Sequence, residues 1–365
     1  MATIELPALQ GRDPLGFLAS LGVLALLTRT GNAPRLSFAQ TAPHYAQITA
    51  PALESADDIA DVLRGVVDSM GEDQVIPGLS NWPISPIAAG TTSDPSRVLR
   101  SELPAVLASV RAESGEAGVE WLLAVLNQFH SDAKGRAALT PFMAPTGRQS
   151  IHTFFAKPLS LVRENPACLR EALVSWKRVE GCTGENFDAA ALRGAAESSD
   201  GKPGSFGVPG ATWLATMGLR LTRQGSHIGW GGESRPYTTL WRYRGGQLML
   251  WPLWTPRLNA EGVRTMLELP LYLRGDGTRD EPLMVSETIK LTEGAGSETE
   301  IQYDPSLIHA SGRVSLRDYG IHAVGGARRS GAAKSAGPLT AVPVTFGSGS
   351  ARSRDAAPSV APPST

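Results

Sequence analysis

LPALQGRDPLGFLASLGVLALLTR, residues 6–29, decides the fold. It joins a short strand, a tight Gly-Arg-Asp-Pro turn and a helix that carries no charge for four turns. Asp13 is placed to cap that helix, and Pro14 fits its first turn, where a missing N–H costs nothing. From Leu15 to Leu27 the apolar residues run almost all the way round, so the helix is one enclosed by protein rather than a surface amphipath. Gly16, Ala19, Ser20 and Gly22 are small enough to let another backbone approach. The element is too short to cross a bilayer and lacks the basic flank and cleavage site of a signal peptide. The expectation is the central helix of a cytosolic domain, with no membrane partner.

Working outward, the elements read as an α+β fold of mixed helices and short, mostly antiparallel strands. The pattern predicts one large globular unit: an acidic, helix-rich lobe over 1–139, a second α+β lobe over 140–326 packed on the first, and a disordered Ala/Gly/Ser/Pro tail over 327–365. Strands are expected at 2–6 and 36–38, a helix at 57–70 with an acidic outer face, and further helices at 96–112 and 118–129. Residues 140–158 read as an ordered loop. Residues 159–179 read as one amphipathic helix, or two joined near Asn165-Pro166. An apolar helix is expected at 213–221, a hairpin at 238–252 turning on Arg244-Gly245-Gly246, a helix at 261–269 and strands at 284–292, 299–303 and 321–326.

Charge is segmented although the 365 residues sum to only −1. Residues 1–139 carry 9 basic against 15 acidic side chains, 140–264 carry 15 against 9, 265–326 carry 5 against 10, and 327–365 carry 5 against 1. A chain with one basic surface for phosphates would show this alternation, as would one whose charges scatter over every face once folded. In the 140–158 loop, aromatics at Phe142, Phe154 and Phe155 would hold Thr146, Arg148, Gln149, Ser150 and His152 as a polar row. Arg and Gln there offer paired hydrogen bonds to phosphates or purine edges, or else tie down their own loop. Lys157, Lys177 and Arg178 would extend that surface. Five of the eight tryptophans lie between 208 and 254, interleaved with Arg220, Arg223, Arg235, Arg242 and Arg244. Such a mixture stacks bases and holds a backbone, although Trp241 and Trp251 are better read as core.

Catalytic signatures are lacking. Residues 11–16 have no Gly-Lys-Ser/Thr phosphate loop, and the six histidines show no metal-ligand spacing. No Gly-x-Ser-x-Gly elbow is present. The two cysteines, Cys168 and Cys182, read as free thiols of a reducing cytoplasm, and Cys182 has no visible base or oxyanion hole. The expectation is a non-enzyme with no cofactor, no metal and no catalytic residue.

The strand followed by GRDPLGFLASLGVL (11–24) resembles the opening of the large-subunit-like proteins of type I-G (formerly I-U) CRISPR systems, more specifically a small actinobacterial family described as an extension of the CRISPR helicase-nuclease. TPFMAPTGRQSIHTFFAKP (140–158), WKRVEGCTGENF (176–187) and VPGATWLATM (208–217) are similar to the same family. The resemblance implies a non-enzymatic subunit of a cytoplasmic, Cascade-like effector complex in antiviral defence. Its partners would be the CRISPR RNA, the target double-stranded DNA, the other backbone subunits and the helicase-nuclease. Such effectors leave sequence reading to base pairing, while protein reads a short adjacent duplex motif. The residues expected to touch nucleic acid are Thr146, Arg148, Gln149, Lys157, Lys177, Arg178, Arg242 and Arg244. Two alternatives stay open: a protein-protein adaptor with little nucleic-acid contact, and an enzyme with an unrecognised site.

Overall fold

The computed structural model describes residues 2–132, 134–140, 150–193 and 204–222, and then 224–225, 235–236, 240–243, 246–268, 273–274, 287–293, 297–303, 320–329 and 339–348. The chain is α+β. It opens with β1 (Ile4–Gln10), α1 (Pro14–Arg29), β2 (Arg35–Phe38), β3 (Tyr45–Thr49) and α2 (Ala56–Asp68). β3 lies between β1 and β2, antiparallel to both. Asp13 caps α1, its Oδ1 accepting from the Gly16 N–H at 2.9 Å, and Pro14 occupies the first turn. Every residue from Pro14 to Leu27 is buried, as the all-round apolar pattern predicts. α2 starts with a Ser55–Asp58 capping box, buries Ile59, Leu63, Val66 and Val67, and leaves Asp57, Asp61 and Asp68 in solvent.

Next come α3 (Leu103–Val125), β4 (Leu126–Ser131), β5 (Ala137–Leu139), α4 (Ile151–Glu164), α5 (Ala167–Val174), β6 (Val179–Glu180), β7 (Leu192–Arg193), β8 (Gly204–Gly207) and α6 (Pro209–Gly218). The two helices expected at 96–112 and 118–129 are one run bent at Gly115, whose φ of 66° only glycine adopts freely. Residues 98–100 instead run beside the β4–β5 hairpin, Leu99 bridging Arg136. The loop expected over 140–158 turns helical at Ile151, because Ser150 and Thr153 close a capping box that nucleates α4. α4 and α5 part at Asn165-Pro166, as the proline requires.

The remainder is β-rich: β9 (Gln224–Gly225), β10 (Arg235–Pro236), β11 (Leu240–Tyr243), β12 (Gly246–Trp254), α7 (Ala260–Glu268), β13 (Leu273–Arg274), β14 (Glu287–Glu293), β15 (Ser297–Tyr303), β16 (Ile321–Arg329), β17 (Leu339–Ala341) and β18 (Val344–Ser348). One antiparallel sheet runs β11-β12-β16-β17 and another β13-β15-β14-β18. The expected hairpin is present, Tyr243 opposite Gly246. The tail expected to be disordered from 327 is a strand to Arg329 and supplies β17 and β18, which complete sheets begun earlier in the chain. Residues 349–365 lie outside the described residues.

The two expected lobes share one core. α6 is buried from end to end and packs directly on α1. Both helices spend glycines on the crossing: a β-carbon at Gly22 would overlap the Leu214 carbonyl, and one at Gly218 would overlap that of Leu18. Phe17 of α1 stacks on Trp251 of β12 at 5.2 Å between centroids, and Phe38 meets Trp254 edge-on at 5.1 Å. Each indole satisfies its N–H on the N-terminal sheet region, Trp251 on the Gly11 carbonyl at 2.7 Å and Trp254 on that of Leu36 at 3.0 Å. Gly325 in β16 leaves the room that the Trp251 ring fills. Trp251 is therefore core, as expected; the Trp241 side chain lies outside the described residues.

Candidate nucleic-acid interface

Three of the four segments singled out in the sequence line one cleft of about 250 Å³. Residues 140–158 contribute Lys157 and Pro158, residues 176–187 contribute Gly181, Cys182, Thr183 and Glu185, and residues 208–217 contribute Thr212. The fourth, the opening turn, does not line the cleft, although the Asp13 carboxylate feels the charges of Asp188 and Arg178.

The floor is a strained turn. Gly184, Glu185 and Asn186 all take left-handed backbone, at φ 65°, 43° and 68°. Two of them are not glycine, which costs on the order of 1–3 kcal/mol each and persists only where packing dictates it. Packing does so here. Glu185 is 4% exposed and accepts a hydrogen bond from Thr183 Oγ1 at 2.7 Å. The Gly207 N–H of β8 donates to the Cys182 carbonyl at 2.8 Å, and there is no room for a side chain at 207 against Cys182. Arg178 braces the turn from behind. Its Nη1 donates to Asp188 Oδ2 at 2.6 Å and to the Phe206 carbonyl at 2.9 Å.

Burial sets the chemistry of the thiols. It pushes Cys182 above the ordinary thiol range and Cys168, behind it, up to about 12. Cys182 Sγ lies 3.9 Å from Thr212 Oγ1, whose hydroxyl donates to the Val208 carbonyl. A protonated, enclosed thiol is a weak nucleophile. Burial likewise pushes Asp13 up to about 6. Among the described residues no group of three or more His, Cys, Asp or Glu is placed to hold a metal ion, and no helix is long and apolar enough to cross a membrane.

Of the residues expected to touch nucleic acid, Lys157 is exposed on α4 and lines the cleft. Lys177 is exposed and sits 3.6 Å from Glu171. Arg178 is spent on Asp188, whose side chain is 5% exposed, so its role is to hold the turn rather than to meet a ligand. Arg242 pairs with Gln247 through the β11–β12 backbone ladder. Thr146, Arg148, Gln149 and Arg244 lie outside the described residues. Sequence reasoning passed over Glu185; its signal is the Gly-Glu-Asn triplet of EGCTGEN, a run suited to left-handed backbone. Comparison with family models, with curated proteins and with solved structures finds no match to this chain in any of the three.

Proposed function

We propose that this chain is a non-enzymatic subunit of a type I-G CRISPR RNA-guided effector complex, working in the cytoplasm. It contributes target DNA binding and adjacent-motif recognition and recruits the helicase-nuclease. The observation that supports this most is that three of the resembling segments, separated along the chain from Lys157 to Thr212, line one cleft. A shared surface, rather than a shared core alone, is what a common partner would maintain. The raised thiol of Cys182 and the exposed Lys157 favour holding a ligand over covalent chemistry.

The test is co-expression with the neighbouring operon products and a guide RNA. The expected result is one RNA-containing complex that includes this chain, with target DNA affinity reduced by Lys157→Glu combined with Arg242→Glu. Elution as an RNA-free monomer overturns the reading. The exposed acids of α2 support a second one, an adaptor that docks on basic subunits. It predicts that the chain enters the complex while those two charge reversals leave DNA affinity unchanged.

A further inference from the structure

Among the described residues, three exposed arginines on one face carry no ion pair, whereas most of the other arginines end on an acid. Arg97 and Arg136 end on Asp132, Arg178 on Asp188, and Arg220 and Arg264 on Glu120. Arg12, Arg35 and Arg257 meet no carboxylate among the described residues. Arg35 Nη1 donates to the Arg257 carbonyl at 3.3 Å, Arg257 Nη2 donates to Thr3 Oγ1 at 2.9 Å, and Arg12 projects from the turn between β1 and α1.

The fold lines these residues up. Leu36 and Leu258 exchange backbone hydrogen bonds of 2.8 and 3.0 Å, which sets Arg257 beside Arg35. It also sets Thr255 beside Gln40, whose amide reaches Thr255 Oγ1 at 3.5 Å. Thr255 Oγ1 lies 3.2 Å from His322 Nδ1, and His322 Nε2 and His44 Nδ1 each bond the Ala39 carbonyl at 3.0 Å, their rings 5.4 Å apart. The Gly11 N–H donates to the His44 carbonyl at 2.9 Å and so brings Arg12 next to both imidazoles. From Arg35 to Phe38 the strand advances about 10 Å at roughly 3.3 Å per residue.

The segments that build the row carry no acid, and the exposed carboxylate on the same sheet is Glu5 of β1. Residues 39–45 (AQTAPHY), 255–259 (TPRLN) and 321–329 (IHAVGGARR) contain neither Asp nor Glu. Glu5, on the same sheet, accepts from the Tyr45 hydroxyl at 2.9 Å, and Asp13 is turned to its helix cap. Burial first, and then the positive charge of Arg12, holds both imidazoles below their ordinary pKa, and His44 adds to this at His322. The missing component is an extended anion. An acidic protein surface fits less well, because an interface wants an apolar anchor. Among the described residues the exposed large apolar side chains, Trp82, Ile87, Leu99 and Leu192, all belong to other segments.

We propose that this face binds the phosphodiester backbone of a nucleic acid, with Arg35 and Arg257 on phosphates at one end and Arg12 on phosphates at the other, the imidazoles of His44 and His322 lying behind Arg12. At about 3.4 Å of axis per nucleotide the strand part of the row spans roughly three phosphates of one strand. The assignment rests on the nucleic-acid contact proposed above but moves it to elements away from Lys157.

The experiment titrates labelled DNA and RNA, single- and double-stranded, with the full chain across a salt series. The variants are Arg12→Glu/Arg35→Glu/Arg257→Glu, the milder Arg→Gln triple, and Arg111→Glu as a control whose arginine is already paired with Glu116. The expected result is at least a tenfold loss of affinity in the Glu triple and a salt slope shallower by about 3, with the control near wild type. Wild-type affinity should also rise as pH falls below the ordinary imidazole range, because both rings are held below it, and His44→Gln/His322→Gln should flatten that rise. Equal binding by wild type and both folded triples overturns this face and leaves the effector reading standing. A wild-type chain that binds no nucleic acid overturns both. Displacement of DNA by an acidic peptide of equal charge at equal concentration overturns the choice of partner.

Discussion

Gly22 of α1 lies against the Leu214 carbonyl of α6 so closely that no β-carbon fits between the two helices. Two enclosed helices meeting backbone to backbone form the centre of the molecule, and that contact cannot yield as a flexible side chain would. Overpacking in a core costs roughly 1–3 kcal/mol, and a clash with backbone should reach the top of that range. Gly22→Ala is therefore expected to lose about 3 kcal/mol in urea unfolding. Gly65 in α2 has open space around its β-position, so Gly65→Ala should gain about 0.5–1 kcal/mol from helix propensity. A Gly22→Ala protein as stable as wild type would show that α1 and α6 do not touch.

Asp13 does two opposed things at once. Its carboxylate caps α1, yet burial raises its pKa from 3.8 to about 6. The folded chain therefore holds a proton that the unfolded chain releases between pH 4 and 6. Stability from this group is fully present below about 4 and declines as pH rises through 6, by roughly 2–3 kcal/mol. Asp13→Asn keeps an acceptor for the cap and removes the charge. It should be the more stable protein at pH 7, with the difference closing toward pH 4 in a melting series. Asp13→Ala, which also loses the cap, should fall about 1 kcal/mol below Asn. A difference independent of pH would mean that Asp13 is ionised normally.

α1 was readable because it carries its own evidence, uncharged turns and an Asp13 cap, whereas α6 begins at Pro209, a turn before the expected start at 213, because no side chain caps it. β3 was not readable, since YAQIT is too short and too mixed to announce a strand before β1 and β2 flank it. Arg178 looked like a surface cation because its partner is ten residues away and its burial is a tertiary fact. The row from Arg12 to Arg257 escaped for a related reason. Summing charge along the chain assigns Arg12 and Arg35 to an acidic block, whereas the fold sets them among segments without acids. Charge patterns belong to surfaces, and only local ones survive in a linear count.

Both cysteines should be inert in the native protein. Burial pushes Cys168 up to about 12 and raises Cys182 as well, so little thiolate exists at neutral pH, and both side chains are enclosed. A thiol-specific chromogenic reagent is expected to react with neither in native buffer and with both in denaturant. Rapid native labelling at Cys182 would place it in an open, activating environment and return the enzyme reading to the front.

Asp132 acts against Asp13 as the pH falls. Its carboxylate is held by Arg97 and Arg136, each through Nη2 at 2.7 Å, and by the backbone N–H groups of Lys134 and Arg136. Burial alone would raise it, but these donors overcome that and bring it down to about 2. A depressed pKa means that stability is complete above 3.8 and is lost as pH drops through about 2. The side chain is only 24% exposed, so the shift corresponds to about 2 kcal/mol. Asp132→Asn should therefore be less stable than wild type by about that amount at neutral pH, leaving two guanidiniums without their counter-charge, and the difference should vanish near pH 2. Acidifying from 7 to 4 should then stabilise the wild type relative to Asp13→Asn, and acidifying further should erase its advantage over Asp132→Asn. If both differences moved the same way with pH, the opposite protonation preferences of these two carboxylates would be wrong.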